Sequence, residues 1–227
     1  MMSDRGENRT TPSGQRRLIH ILPADRLNAF ADGVFAIVIT LLVLELPVPE
    51  VADSLLWALL AEWPSFLAYL ISFVFIGGFW MTHASITGLT AQEDQVTFRL
   101  TLIALFFISL IPFSTSLMAL HLTGPGSRLS VSVYGLDLLI ASIMLSGIMR
   151  YLARRPELLV DGLAEEDFDD MERRRRSGII FNGIGVLLAV LFPPAAIAVY
   201  VGVAIFFFVR PLLYKRIIRH SLKTHGE

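Results

Sequence analysis

The chain contains no cysteine. Disulfides, thiolate metal sites and cysteine nucleophiles are therefore excluded. Charge is scarce as well: Asp, Glu, Lys and Arg make up 17% of the 227 residues, against about 25% in an ordinary soluble domain. His20, His121 and His220 are scattered near helix ends without the spacing of metal ligands. There is no P-loop, no His-Glu-x-x-His, no Gly-rich segment after a strand and no Thr-Val-Gly-Tyr-Gly filter. No stretch reads as a convincing strand. An intramembrane enzyme needs paired catalytic groups at membrane depth, and Asp32 has no plausible second. Nothing implies an enzyme, a cofactor or a nucleic-acid partner.

What the chain has instead is apolar length. Hydrophobic residues make up 54%, with a mean hydropathy of +0.63. They fall in blocks near the roughly 20 residues a helix needs to cross the hydrocarbon core. The blocks cover about 27–46, 55–81, 98–120, 129–152, 177–192 and 195–213. Pro47 and Pro49 close the first, because proline has no amide donor. Pro112 lies inside the third, and Pro193-Pro194 separates the last two. The fold class expected is an all-α membrane protein with six transmembrane helices. Blocks five and six are short, so a re-entrant hairpin is the competing layout. Arg176 can snorkel at the start of five, and PLLYKRIIRH can carry six into the headgroups, which favours two spans.

Residues 1–18 are polar, rich in Gly, Pro, Ser and Thr, and lack the apolar core of a cleaved signal peptide. They read as a disordered cytoplasmic tail, residues 19–218 as the six-helix transmembrane domain, and 219–227 as a second cytoplasmic tail. Basic residues orient this layout. With the N-terminus inside, eighteen of the nineteen Lys and Arg residues fall on the cytoplasmic side, and Arg128 alone falls outside. An odd number of spans would put the basic C-terminal cluster outside. The expectation is a multi-pass protein of the cell membrane with both termini cytoplasmic. The loop from Arg154 to Arg176 contains AEEDFDDMERRRR. Acidic residues followed by basic ones suit a short amphipathic or solvated helix, in a linker that fixes orientation or, alternatively, a site for lipid headgroups or a partner.

The first block, RLNAFADGVFAIVITLLVLEL, carries the most chemistry. Asp32 lies six residues beyond Arg26, about 9 Å deeper along a helix. A carboxylate there costs about 2.5–3.5 kcal/mol near the bilayer centre and needs a partner. It either staples helices together or meets a transported ion. Ile37, Thr40, Leu41 and Leu44 recur at i, i+3, i+4 and i+7, so they form one stripe. Asp32 sits about 140° away from that stripe. By phase alone the stripe is either a packing face or a surface toward an axis. The second block ends in GGFWMTHAS. Gly77 and Gly78 permit close helix approach, and Trp80 suits an interface or the bundle interior. His83 lies at a depth comparable with Arg26, as a structural hydrogen-bonding residue or a pH-sensitive contact. Arg26, Asp32 and His83 could join in one polar network. Asp137 and Asn182 are single polar residues suited to interhelical hydrogen bonds.

Arg26, three residues, then Phe30-Ala31-Asp32 and GVFAIVITLLVLE resemble the signature of the transmembrane protein 175 family, potassium channels of lysosomes and prokaryotes. The family pattern has serine where Ala31 stands, so one hydroxyl is missing from the motif. WPSFLAYLISF with Phe79-Trp80 and His83 is similar to the family's second helix, and Leu110-Ile111-Pro112-Phe113 to its third. The resemblance implies a homotetramer of single-repeat subunits around a central pore. It implies that the first helix lines that pore, with an apolar gate at Ile37 and further lining at Thr40, Leu41 and Leu44. It places Arg26, Phe30 and Asp32 in a structural network, where Trp80 and His83 join the readings above.

The expected function is passive potassium conduction, gated by dewetting at the apolar ring, with K⁺ transient along the pore and no fixed metal site. Glu45, near the outer end of the first helix, would draw monovalent cations to the mouth, or be an interfacial carboxylate without consequence. The alternative is a proton or non-selective monovalent cation leak. A secondary transporter fits less well, since no internal repeat with broken helices is visible.

Overall fold

The computed structural model describes residues 24–49, 54–92, 94–160 and 165–206. The tails read from the sequence at 1–18 and 219–227 lie outside these, as does the end of the last apolar block. Seven α-helices run through the described residues: α1 (Ala24–Leu44), α2 (Leu55–Ala61), α3 (Trp63–Gly88), α4 (Gln95–His121), α5 (Ser127–Leu152), α6 (Glu165–Leu191) and α7 (Pro193–Phe206). Four of them, α1, α3, α4 and α5, contain apolar stretches long enough to cross a membrane. The apolar part of α6 (Arg176–Leu191) and α7 are shorter.

Local chemistry explains where the helices stop. α1 tightens at its end, with Glu45 N bonded to Leu42 O (3.3 Å) and Leu46 N to Val43 O (3.2 Å), and Pro47 prevents continuation. The single helix expected over 55–81 is two. α2 ends at Ala61, and α3 starts at Trp63 and continues to Gly88. The break falls at Glu62, just before Pro64, which fits the first turn of a new helix but not the interior of an old one. α6 begins a full three turns before the apolar block at 177, because the acidic and basic run is helical too.

Packing is built around α5, the most thoroughly buried helix. Tyr134, Leu138, Ala141, Leu145, Ile148 and Leu152 are inaccessible or nearly so. α4 and α6 pack on either side of it, and α3 packs on α4. α1 sits against α3 and α4. Where α7 returns, Tyr200 wedges edge-on against Tyr134 (ring centroids 5.6 Å) and Phe75 (6.0 Å). It fits because Gly135 of α5 and Gly185 of α6 have no side chain: a Cβ on Gly185 would lie 2.5–2.7 Å from the ring and hydroxyl.

The α3–α4 loop is tied to the segment after α5. Ala91 N bonds Leu158 O (2.8 Å), Val160 N bonds Leu89 O (3.0 Å), and Thr90 and Leu159 form an isolated antiparallel bridge. Asp94 caps α4, accepting from Thr97 N (2.8 Å) and Thr97 Oγ1 (2.9 Å), and also accepts from the Tyr151 hydroxyl. Partial burial alone would push the Asp94 carboxyl up, but the hydrogen bonds from Thr97 and Tyr151 outweigh it and hold it below its usual range. The folded state therefore favours the anion. Its contribution is full above the unfolded value of about 3.9 and is lost as pH falls through the lower folded value. Asp94→Ala is expected to cost about 1 kcal/mol. Asp94→Asn should melt less pH-dependently than the parent in detergent when acidified to about pH 3.

Candidate functional site

α1 has two faces. Leu27, Ala31, Phe35, Val38 and Leu42 follow helical spacing and are at most 4% exposed against α3 and α4. The stripe Ile37, Thr40, Leu41 and Leu44 points away from the protomer, with Ile37 59% and Leu44 75% exposed. Phe30 is exposed too, and Glu45 follows the last turn with its side chain open. A helix apolar on both faces but packed on only one offers the other to lipid or to neighbouring chains.

Thr40 is the polar member of the stripe. Its hydroxyl donates back to its own helix, to Ile37 O (2.8 Å) and Ala36 O (3.0 Å). This spends the hydrogen and leaves oxygen lone pairs available outside the helix. A threonine held this way is an acceptor, as a cation requires.

α3 holds α1 beside the motif. Trp80 Nε1 donates to Asp32 Oδ1 at 2.9 Å, and both side chains are exposed in the single protomer. Asp32 thus joins two helices from the rim of their seam and is not sealed inside. His83, one turn beyond Trp80, is 2% exposed and lies under Phe35, with ring centroids 5.8 Å apart. Its Nε2 is buried without a hydrogen-bond partner. Among the described residues, no hydrogen bond or ion pair connects Arg26 to Asp32 or His83. The structure therefore brings together Asp32, Trp80, His83 and Phe35. Phe35 lies within the stretch that carries the resemblance but is not singled out there, and its part in the seam appears only once the helices are packed.

Behind this seam lies a polar interior that sequence reading found only in part. Ser114 Oγ donates to Asp137 Oδ2 (2.8 Å), and Asn182 Nδ2 to Ser142 Oγ (2.7 Å), linking α4 to α5 and α6 to α5. Ser72 meets both Thr115 (2.7 Å) and Tyr134 (3.0 Å), joining α3, α4 and α5. The direction of that chain follows from hydrogen counting. Thr115 gives its hydrogen to Ile111 O (2.7 Å), so Ser72 donates to Thr115 and Tyr134 donates to Ser72. The chain ends beside Pro112, where the helix ladder has lost a donor. Serines and threonines in apolar helices carried no spacing signal that would have placed these partners. Among the described residues, no three His, Asp or Glu side chains gather as a metal site.

Comparison with known proteins places this geometry in context. Residues 26–112 match the family model described as the endosomal/lysosomal potassium channel TMEM175. A potassium channel from Chamaesiphon minutus is 33% identical over 189 residues, covering 82% of this chain and 93% of that one. The endosomal/lysosomal proton channel TMEM175 of Homo sapiens is 36% identical over 103 residues, covering 41% of this chain but 20% of that one. The crystal structure of a lysosomal potassium-selective channel TMEM175 homolog from Chamaesiphon minutus aligns with a TM-score of 0.74 at 32% identity, covering 82% of this chain and 97% of that chain.

Proposed function

The chain belongs to the TMEM175 family of ion channels, and from that premise we propose that it is a passive potassium channel of the prokaryotic cell membrane. Four copies, each with six membrane-crossing helices and both termini cytoplasmic, surround a pore lined by α1. The observation that carries this reading is the stripe of Ile37, Thr40, Leu41 and Leu44, which is left open on a helix whose opposite face is packed. Four copies of Ile37 form an apolar ring that excludes water when tight. Four Thr40 oxygens, each with its hydrogen already bound inside the helix, supply acceptors to a partly dehydrated cation. Glu45, at the end of the same helix, adds a negative field at the mouth.

The Asp32–Trp80 bond and the His83–Phe35 contact fix the rotation of α1 on α3 and thereby aim the stripe. They serve as positioning groups and do not touch the ion. The second reading, a proton or non-selective monovalent cation leak, draws on the name of the human relative and on the absence of a carbonyl filter. In that case flux would ignore which monovalent cation is present.

Ion-substituted flux separates these readings. Purified full-length protein in liposomes is expected to carry K⁺ down its gradient with no second gradient, and Na⁺ more slowly. Equal K⁺ and Na⁺ flux would favour the leak. Strict dependence on a coupling ion would point to a transporter. Cross-linking in mild detergent that stops at the monomer would remove the axial pore.

A further inference from the structure

α2 has no role in the pore proposed above, yet it is an almost wholly exposed apolar helix. None of its residues is buried, and Leu55, Leu56 and Trp57 are 63–71% exposed. Its sequence, LLWALLA, contains no polar side chain on any face. Seven residues make a helix about 10 Å long, a third of the hydrocarbon thickness, so α2 cannot span. Nor can it leave the membrane far behind, because one residue, Glu62, separates it from the long apolar α3.

The exposed apolar surface continues across that joint onto α3 through Trp63, Phe66 and Leu70. A patch of this kind is unstable against water. Its chemistry fits the boundary between headgroups and acyl chains. Two of the three tryptophans of the chain lie on it, and tryptophan concentrates at that depth. Glu62, half-exposed at the break, marks where the surface meets polar surroundings.

We propose that α2 lies in the membrane interface as a lipid anchor, on the side where α1 ends. Its occupant is the bilayer itself, by continuity with the exposed apolar surface of α3, a helix long and apolar enough to span. The anchor fixes the depth of the linker that leaves α1 at Glu45, and so the height of the pore helix's end. This rests on the membrane-spanning character of α3 and is independent of which ion the protein conducts.

Tryptophan emission tests it directly. The full-length protein and Trp57→Phe are reconstituted into phosphatidylcholine brominated either near the headgroup end of the acyl chain or near its terminal methyl. The difference between native and variant emission isolates Trp57. That component is expected to lose most of its intensity to the shallow label, less to the deep one, and little to aqueous iodide. The double variant W63F/W80F, which keeps Trp57 alone, reads the same contact should Trp57→Phe fail to fold. Three results would overturn the proposal. Insensitivity to both labels would mean that protein covers α2, as a second copy would. Strong quenching by iodide would place it in water. Deeper than shallow quenching would place it in the membrane core.

Discussion

Ile37→Asn is expected to raise K⁺ flux into liposomes by at least about tenfold and to narrow the difference between K⁺ and Na⁺. A tenfold change in rate corresponds to about 1.4 kcal/mol off a barrier. In the proposed tetramer, four amides replacing four sec-butyl groups at one level of the pore should supply that amount by keeping water in the constriction. The substitution is well placed to act on conduction alone. Ile37 is 59% exposed in the protomer, so no interior packing depends on it. Melting and oligomeric state should therefore stay near those of the parent. Val38→Asn, one residue on, gives the contrast: Val38 is 2% exposed against the bundle, and a polar group there should damage folding first. Unchanged flux and selectivity in a well-folded Ile37→Asn protein would take Ile37 out of the pore.

The largest stability effect is expected at the Tyr200 wedge, and it comes with a rescue. An alanine at 135 would drive its Cβ into the Tyr200 hydroxyl, with the ring carbon Cζ at 3.3 Å and Val186 Cγ2 at 3.2 Å as the next contacts. Tyr200 is fully buried between helices and has nowhere to retreat. Overpacking of this kind costs about 1–3 kcal/mol. The same hydroxyl is buried without a hydrogen-bond partner, so Tyr200→Phe alone should be neutral or slightly stabilising. Combined with Gly135→Ala it should restore most of the loss, because the remaining contacts are only tight. Gly185→Ala should not be rescued, since its Cβ would meet ring carbons at 2.5 and 2.7 Å that phenylalanine retains. Thermal melts in one detergent of the parent, Tyr200→Phe, the two glycine variants and the two double variants decide the matter. Equal rescue of both glycine variants would mean that Tyr200 turns as a whole and that the hydroxyl is not the obstacle.

The helical architecture was legible because hydrocarbon imposes a length and proline imposes ends. Those constraints act on composition over roughly 20 residues and need no knowledge of partners. The break in the second apolar block was legible only in hindsight. The sequence reads as one apolar block over 55–81 with Pro64 inside it, whereas the structure puts that proline in the first turn of a new helix. Proline is compatible with both places locally, and what decides is whether the preceding turn packs. Here α2 buries none of its residues inside the protomer.

The candidate site shows the same division. The stripe on α1 follows from a period of 3.6 residues, and the motif residues follow from resemblance. Periodicity could not say which face the protomer buries, since both faces of α1 are apolar, and only the resemblance implied that the stripe faces outward. The contacts with α3 and α4 decided it, by filling the side of Ala31, Phe35 and Val38 and leaving Ile37 free. Asp32 illustrates the limit further. Its cost in an apolar helix demanded a partner, but the partner, Trp80, stands 48 positions away and pairs with it only once α1 and α3 are side by side.

By itself, then, the sequence determined that this protein lives in a membrane, which segments are helical, and which helix holds the motif. These depend on residue type and local spacing, which the chain carries without folding. The tertiary structure alone decided which face of α1 stays open, which hydroxyls link the helices, and which glycines admit Tyr200. Those depend on contacts between residues far apart in sequence, where a shift of one methyl group decides whether two helices can meet.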